Sequence, residues 1–190
     1  MNEAPPLKLE AVACIRGGRL LFEGLDLVLG PGDAAIVTGA NGVGKSSLIR
    51  LAAGLLRPAA GKVERNGGAG LADEAAALDP RQTLGRALAF WARIDGTDAA
   101  PGMAAMGVTH LAQVPVHMLS TGQRKRATLA RVAASRARLW LLDEPSNGLD
   151  ADGEERLAAA MAAHRAQGGA ILAASHMALD LDGAATLGLA

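Results

Sequence analysis

The chain has 190 residues, 50% of them hydrophobic, which is enough for one buried core but leaves little material for a second domain. Lysine plus arginine and aspartate plus glutamate number 19 each, so the basic surface of a nucleic-acid-binding protein is not expected. Cys14 is the only cysteine and cannot form an intramolecular disulfide, which fits a reducing compartment. No apolar run approaches the roughly 18 residues of a spanning helix, so we expect the chain not to cross a membrane unaided.

The first part of the chain predicts an antiparallel β structure. Residues 7–15 and 25–29 have the composition of strands, and the turn-forming Gly17 and Gly18 lie between them. A third run, residues 34–37, is apolar throughout; Thr38 and Gly39 follow it, and a helix is predicted over residues 46–53. A short apolar strand, a glycine-rich turn and a helix in this order indicate an α/β unit around a buried parallel sheet.

The same order of elements returns in the second half of the chain. A strand is predicted over residues 139–142, a helix over 151–167 and a strand over 170–174. The residues before this unit show helical spacing, interrupted by glycine and proline, and no strand pattern. We therefore predict one domain over residues 1–190, with a small helical subdomain at roughly 79–134 inserted in the α/β core.

The motif G-x-x-x-x-G-K-[ST] follows the third predicted strand directly. Its residues are Gly39, Ala40, Asn41, Gly42, Val43, Gly44, Lys45 and Ser46, with Ser47 next. Glycines let such a loop approach phosphate oxygens, and its backbone N–H groups and the helix N-terminus hold the anion. Lys45 adds a positive charge for the β- and γ-phosphates, and Ser46 adds a hydroxyl for Mg²⁺. The motif therefore predicts a site for a nucleoside triphosphate with Mg²⁺.

Two adjacent acids end the apolar run at residues 139–142. Asp143 lies where a carboxylate would hold Mg²⁺ directly or through water, and Glu144 lies where a second carboxylate could polarise the attacking water. Two acids at a strand end also fit a solvated junction between strand and loop. The P-loop favours the catalytic interpretation, although a P-loop alone does not separate kinases, GTPases and transport ATPases.

Three further segments carry a family resemblance. Residues 119–123 (LSTGQ) resemble the LSGGQ signature of the ABC ATPases, residues 146–150 (SNGLD) resemble their D-loop, and Ser175-His176 resembles their switch histidine. The resemblance covers nearly the whole chain. It implies an α/β P-loop ABC cassette with a mixed-sheet core, an antiparallel amino-terminal β part and an inserted helical subdomain.

The resemblance also implies a mechanism with ATP and Mg²⁺ in a head-to-tail homodimer. Across the dimer interface, Ser120, Gly122 and Gln123 would bind the nucleotide of the other cassette, and Asp150 would couple the two sites. Within the P-loop cassette, Glu144 would orient or deprotonate the water and His176 would contact the γ-phosphate.

The sequence departs from the family pattern at two positions. Arg16 stands where the family has an aromatic residue that stacks on adenine; its guanidinium plane could lie over the base, or it could be a solvated turn arginine. Glu74 falls where the family has the glutamine of its Q-loop, and a carboxylate there would serve as a charged Mg²⁺ ligand. Gln82 is the rival candidate for this Q-loop position.

Within the ABC family, the chain is most similar to the ATP-binding subunits of bacterial cytochrome c maturation. The resemblance rests on LSTGQRKRATLARV in the signature region and on the segments CIR (14–16), RLLF (19–22) and FWARIDG (90–96). It implies ATP-driven haem export or delivery, separate integral membrane permease subunits, and a peripheral position on the cytoplasmic face of the bacterial inner membrane. It implies no nucleic-acid partner.

Other functions fit parts of the sequence. An ABC transport ATPase for another cargo has the same motifs, since cargo contacts would lie on the membrane chains. A soluble ABC protein of DNA repair or translation would need coiled-coil insertions or a second cassette. A regulatory module without turnover would be expected to lack Glu144 or His176. Apart from His176, the histidines are scattered, so we predict no haem site.

Overall fold

The computed structural model describes residues 4–75, 77–177 and 179–189. Its strands are β1 Leu7–Arg16, β2 Arg19–Leu29, β3 Ala34–Thr38, β4 Ala60–Arg65, β5 Ala69–Ala72, β6 Leu139–Asp143, β7 Ala170–Ala174 and β8 Ala185–Gly188. Its helices are α1 Lys45–Ala53, α2 Leu84–Asp95, α3 Ala100–Ala105, α4 Thr121–Ala134 and α5 Ala151–Ala166. Two short 3₁₀ turns, Thr109–Leu111 and Val116–Met118, precede α4.

Five parallel strands form the central sheet in the order β5-β6-β7-β3-β8. Every residue of β6 and β7 is buried, and both strands are apolar throughout except for Asp143, the last residue of β6. The register places Asp143 and Val37 on either side of Ala174. The carboxyl ends of three neighbouring strands therefore lie at one level, where α/β sheets bind ligands.

Strands β2, β1 and β4 form a separate antiparallel sheet. Its register shifts near Ala11, whose φ of 46° marks a bulge in β1. The N–H of Ala11 donates to Asp26 Oδ1 at 2.8 Å. Gly61 lies against this bulge, and a Cβ there would come within 2.3 Å of two β1 carbonyl oxygens, so the pairing of β1 with β4 requires glycine at this position.

The central sheet separates two hydrophobic cores. Residues Leu139 and Leu141 of β6 pack with α1 and the antiparallel sheet, whereas Trp140 and Leu142 pack with the helices α2 to α5. Alternate residues of one strand thus serve opposite cores, as the two-residue period of a strand requires. Both faces of the sheet are covered along its middle strands.

Helix α4 joins the helical part to the sheet through Arg131. Its guanidinium lies over the ring of Trp91 in α2, 5.0 Å from the ring centroid, and donates to the carbonyl of Leu71 in β5. Burial lowers the pKa of Arg131, and the charges of Asp95 and Asp73 oppose that shift. One side chain therefore fixes α2 and α4 against the edge strand of the parallel sheet.

The structure contains three strands that the sequence did not predict: β4, β5 and β8. Strand β4 is largely exposed and β8 has four residues, so neither shows a clear apolar period. The predicted start of the second strand at residue 25 is wrong, because β2 begins at Arg19 and its first residues are exposed and pair with β1. The helices α2, α3 and α4 lie within the predicted insertion, whose boundaries stay a prediction.

Gly102 is where α3 touches α4, and its substitution tests this packing. A Cβ at Gly102 would lie 2.2 Å from the carbonyl oxygen of Ala130 and 2.8 Å from the Cβ of Ala134. Although alanine favours a helix, we expect Gly102→Ala to destabilise the fold by about 1 to 3 kcal/mol through overpacking. Denaturant unfolding measures this change.

Gly188→Ala is the matched control, because a Cβ at Gly188 meets no atom within 4 Å. It should change the free energy of unfolding by less than about 0.5 kcal/mol. Equal stability of the Gly102 variant and the wild type would contradict the close contact of α3 with α4.

Candidate active site

The P-loop connects the carboxyl end of β3 to α1. Gly44 is the N-cap of α1 with a φ of 119°, a conformation that favours glycine, and no side chain caps the helix. The first N–H groups of α1 are thus directed at the loop, where they form an anion-binding site. Lys45 is 7% exposed, and its Nζ donates to the carbonyls of Gly39 at 2.9 Å and Ala40 at 3.2 Å. The side chain of Lys45 therefore lies across the P-loop, where it would contact bound phosphates.

A cavity of about 520 Å³ opens above this loop. Its lining brings together ten of the predicted site residues, namely Arg16, Asn41, Gly42, Gly44, Lys45, Ser46, Ser47, Glu74, Glu144 and His176. The other lining residues are Leu21 and Asn147. Residues from the antiparallel sheet, the P-loop and the ends of β5, β6 and β7 thus meet at one site.

Asp143 ends β6 beneath this cavity. It is 5% exposed, and its Oδ1 is buried without a hydrogen-bond partner among the described residues. Burial raises the pKa of Asp143, and the nearby Ser46 hydroxyl opposes that shift. A buried carboxylate oxygen that lacks a donor is suited to a cation, so this atom supports a metal site beside Ser46.

Glu144 and His176 are in direct contact. His176 Nδ1 lies 2.7 Å from Glu144 Oε2, and the backbone N–H of His176 donates to the same oxygen at 3.4 Å. Glu144 has a φ of 47°, in the left-handed region, and its N–H donates to the carbonyl of Ala174 at 2.9 Å. Such a conformation costs about 1 to 3 kcal/mol in a non-glycine residue and aims this carboxylate into the cavity.

The structure separates the two candidates for the Q-loop position. Glu74 follows β5 and lies in the wall of the cavity above the P-loop. Gln82 lies in the segment before α2, where its side chain donates to Asp79 at 3.5 Å and its carbonyl accepts from Val116 at 2.9 Å. The placement supports Glu74, whose role stays a prediction.

Arg16 is the last residue of β1 and is exposed at the rim of the same cavity. It pairs with Arg19 across the turn between β1 and β2. The described lining of the cavity contains no phenylalanine, tyrosine or tryptophan on which a base could stack. Both the stacking role and the alternative of a solvated turn arginine remain open.

The predicted signature residues lie elsewhere on the surface. Ser120, Gly122, Gln123 and Asp150 line a second cavity of about 400 Å³. Ser120 is the N-cap of α4: its Oγ accepts from the N–H of Gln123 at 3.2 Å, and Gln123 Oε1 accepts from the N–H of Ser120 at 3.0 Å. The hydroxyl proton of Ser120 remains available to a further acceptor. Within one chain, the structure does not bring this group to the P-loop.

Asp150 has structural contacts that the sequence did not predict. Its carboxylate accepts from the N–H of Gly153 at 3.0 Å, capping α5, and it forms an ion pair with Arg126. The hydrogen bond from Arg126 lowers the pKa of Asp150. These contacts lie within the chain, and the predicted role of Asp150 across a dimer interface stays a prediction.

Sequence reasoning missed Asn147, Leu21 and Lys125. Asn147 stands inside the SNGLD segment, so the resemblance could have marked it. Lys125 follows LSTGQ, but only the structure shows that its Nζ donates to the carbonyl of Asp143 at 3.2 Å. Leu21 lies in the RLLF segment, but nothing in the sequence marked it as a site residue. The described helices include none that is both long and apolar enough to cross a lipid bilayer.

Solved structures of ABC proteins share the fold. An ATP-binding subunit of an ABC transporter aligns with a TM-score of 0.82 over 90% of this chain and 79% of its own, at 22% identity. The cbiO1 protein of Clostridium perfringens, part of the ABC transporter complex cbiONQ, aligns with a TM-score of 0.73 over 92% and 80%, at 24% identity. These similarities confirm the predicted α/β cassette with its antiparallel part.

Sequence comparisons identify the family. The model of the ABC transporter family matches residues 22–147. A cytochrome c biogenesis ATP-binding export protein, CcmA, of Sphingopyxis alaskensis is 61% identical over 93% of this chain and 94% of its own length. A protein with the same name from Novosphingobium aromaticivorans is 55% identical over 94% of this chain and 92% of its own length. Another from Zymomonas mobilis is 52% identical over 94% of this chain and 81% of its own length. The chain belongs to the ABC transporter family, among its cytochrome c biogenesis ATP-binding export proteins.

Proposed function

We propose that the chain hydrolyses ATP as the nucleotide-binding subunit of an ABC transporter that serves cytochrome c biogenesis. One observation carries the proposal: the P-loop, Glu144 and His176 line one cavity, and Asp143 ends β6 directly beneath it. Phosphate-binding groups and a candidate for activating water thus face the same space. This is the constellation that phosphoryl transfer to water requires.

The triphosphate binds at the N-terminus of α1. The free N–H groups of the first helical turn and the positive end of the helix dipole attract the phosphate oxygens. Lys45, held over the loop by the carbonyls of Gly39 and Ala40, exchanges these contacts for the β- and γ-phosphates. Arg16 and Leu21, from the antiparallel sheet, are the lining residues that we propose contact the base.

The residues present fit Mg²⁺. Asp143 Oδ1 is a buried acceptor without a donor, and Ser46 lies close enough to influence that carboxyl group. Glu74 adds an exposed carboxylate from the opposite wall. When bound, Mg²⁺ neutralises charge that develops on the transferred phosphoryl group. The described residues form no dedicated cluster of metal ligands, which suits a cation held by one or two side chains plus phosphates.

Glu144 and His176 act on the water and the γ-phosphate. The left-handed backbone of Glu144 presents its carboxylate to the cavity, where it accepts a hydrogen bond from the attacking water and takes its proton. His176 holds Oε2 of that carboxylate at 2.7 Å and so limits its rotation. The exposed imidazole also reaches the space in which the γ-phosphate would lie.

The second cavity supports a head-to-tail homodimer. Ser120, Gly122 and Gln123 stand at the N-terminus of α4, a helix of 14 residues whose dipole attracts an anion, yet they lie apart from the chain's own P-loop. A second copy that turns this surface toward the P-loop would cap the γ-phosphate and complete each site. ATP would then be part of the interface, and its hydrolysis would weaken the pair.

The proposed partners are separate membrane permease subunits, and the proposed location of the chain is the cytoplasmic face of the bacterial inner membrane. Helix α2 exposes Phe90 at 46% and Ile94 at 59%, four residues apart and thus on one side of the helix. This apolar pair supports a protein contact on the helical part. The names of the relatives support a role in cytochrome c biogenesis, in which haem export or delivery is the function we propose for the complex.

Substitution of Glu144 tests the hydrolytic mechanism. Glu144→Gln cannot take the water's proton and leaves the P-loop intact, so we expect ATP binding to persist while the rate of hydrolysis falls by about 10² to 10³-fold. Phosphate release and binding of a fluorescent ATP analogue measure the two effects. Lys45→Ala is the contrasting variant and should lose nucleotide affinity itself. Turnover by the Glu144 variant at the wild-type rate would contradict the assignment.

A Mg²⁺ titration tests Glu74 against Gln82. Glu74→Gln replaces the charged ligand by an amide and should retain ATPase activity with a half-saturating Mg²⁺ concentration raised several-fold, by about 3 to 10 times. Glu74→Ala should raise it further, and Gln82→Ala should leave the curve unchanged. Impairment of the Gln82 variant alone would move the Q-loop function to that residue.

Co-purification tests the role in the transporter. We expect the isolated chain to have low ATPase activity, and its membrane partner, captured in detergent with the tagged chain, to raise it and to carry haem detectable by absorbance. The double variant Phe90→Ser, Ile94→Ser should lose the partner and keep the basal activity. The control Leu55→Ser, at an exposed leucine outside α2, should keep both. A partner that stimulates the ATPase without any haem would instead favour an exporter of another cargo.

A further inference from the structure

A third cavity lies between α4 and the catalytic carboxylates. Its volume is about 300 Å³, and Glu74, Glu144 and Asn147 line both it and the cavity above the P-loop. Helix α4 contributes Arg124 and Lys125 to its opposite wall. The catalytic carboxylates thus face the P-loop on one side and two cations of α4 on the other.

Lys125 reaches furthest into the carboxylate group. Its Nζ donates to the backbone carbonyl of Asp143 at 3.2 Å, and its side chain is partly buried. The carboxylates that attract its ammonium group are those of Asp143, Glu74, Glu144 and Asp73. Arg124, by contrast, is exposed and donates to the carbonyl of Leu119 at 3.3 Å. Neighbouring cations on one helix therefore have different electrostatic surroundings.

The described acids form no cluster of metal ligands, but the negative charges of four of them, Asp143, Glu74, Glu144 and Asp73, all act on Lys125. Without Lys125, the buried and unpaired Oδ1 of Asp143, next to the carboxylate of Glu144, would attract a divalent cation whether or not nucleotide is present. It would also repel the triphosphate on its approach. A fixed positive charge among these acids lowers both effects.

We propose that Lys125 is a positioning residue of the ATPase site: its ammonium group holds the end of β6 through the Asp143 carbonyl and balances the surrounding carboxylates, so that Mg²⁺ is taken up together with ATP and not before it. The inference rests on the proposed ATPase function for its kinetic consequence. Its electrostatic consequence can be measured without nucleotide.

The first measurement is binding of Mn²⁺, used alone as a probe for Mg²⁺, to the nucleotide-free protein by electron paramagnetic resonance. Lys125→Met removes the charge and the donor, Lys125→Gln removes the charge and keeps an N–H donor, and Lys125→Arg keeps both. We expect the Met and Gln variants to bind Mn²⁺ about tenfold more tightly than the wild type and the Arg variant to stay near it. Arg124→Gln, which removes a neighbouring charge, should also stay within about twofold.

The second measurement separates kcat from KM for MgATP. Lys125→Met should lower kcat about tenfold with KM changed by less than about threefold, because Asp143 and Glu144 lose their anchor while the P-loop is intact. Lys125→Gln should recover part of kcat through its amide donor. Thermal unfolding identifies folded variants, and if the Met variant does not fold, the Gln and Arg variants carry both comparisons.

The outcomes are distinct. Equal Mn²⁺ affinity in Lys125→Gln and the wild type, or a KM effect without a kcat effect, would overturn the proposal. An equal tightening in Arg124→Gln would also overturn it, since any charge on α4 would then suffice. If the wild type shows no ATP hydrolysis, the proposed function fails, and the Mn²⁺ comparison still decides the role of Lys125.

Discussion

Three neighbouring strands, β6, β7 and β3, end at the same level because Asp143 and Val37 both pair with Ala174. The segments that leave these strands carry the carboxylates, the switch histidine and the P-loop. None of these groups is close to another in the sequence except Asp143 and Glu144. The backbone hydrogen bonds between these strands therefore set the distances within the site, and a shift of one residue in either pair would separate its parts.

The site contains several features that are unfavourable in a folded protein. Asp143 has a buried oxygen without a donor, Glu144 has a left-handed backbone, and Lys125 is partly buried among acids. Each of these costs free energy in the folded state. The surrounding core consists of apolar side chains packed on both faces of the sheet, and its stability offsets these local costs.

The most local parts of the structure could be predicted from the sequence. The P-loop and the acids that end β6 depend on a few adjacent residues, and strand β7 was predicted at its observed bounds. Strands β4 and β8 could not be, because their stability comes from pairing with β1 and β3 and not from an apolar period of their own. Lys125 escaped notice for a related reason: the carbonyl it contacts is 18 positions away. Arg16 lies at the cavity above the P-loop, where the sequence placed it, but the fold does not determine whether its guanidinium stacks on a base.

Arg126 links two surfaces that the proposed dimer would use. It forms ion pairs with Asp150 and Asp152 at the start of α5, while the signature residues stand at the start of its own helix, α4. Gly122 packs so closely on the loop before α5 that a Cβ there would lie 2.9 Å from the carbonyl oxygen of Gly148. The starts of α4 and α5 are therefore held together by ion pairs and by close packing. In the proposed pair of cassettes, a displacement of the loop before α5 in one subunit would also displace the signature residues of that subunit. ATP hydrolysis at the two nucleotide sites would therefore be coupled.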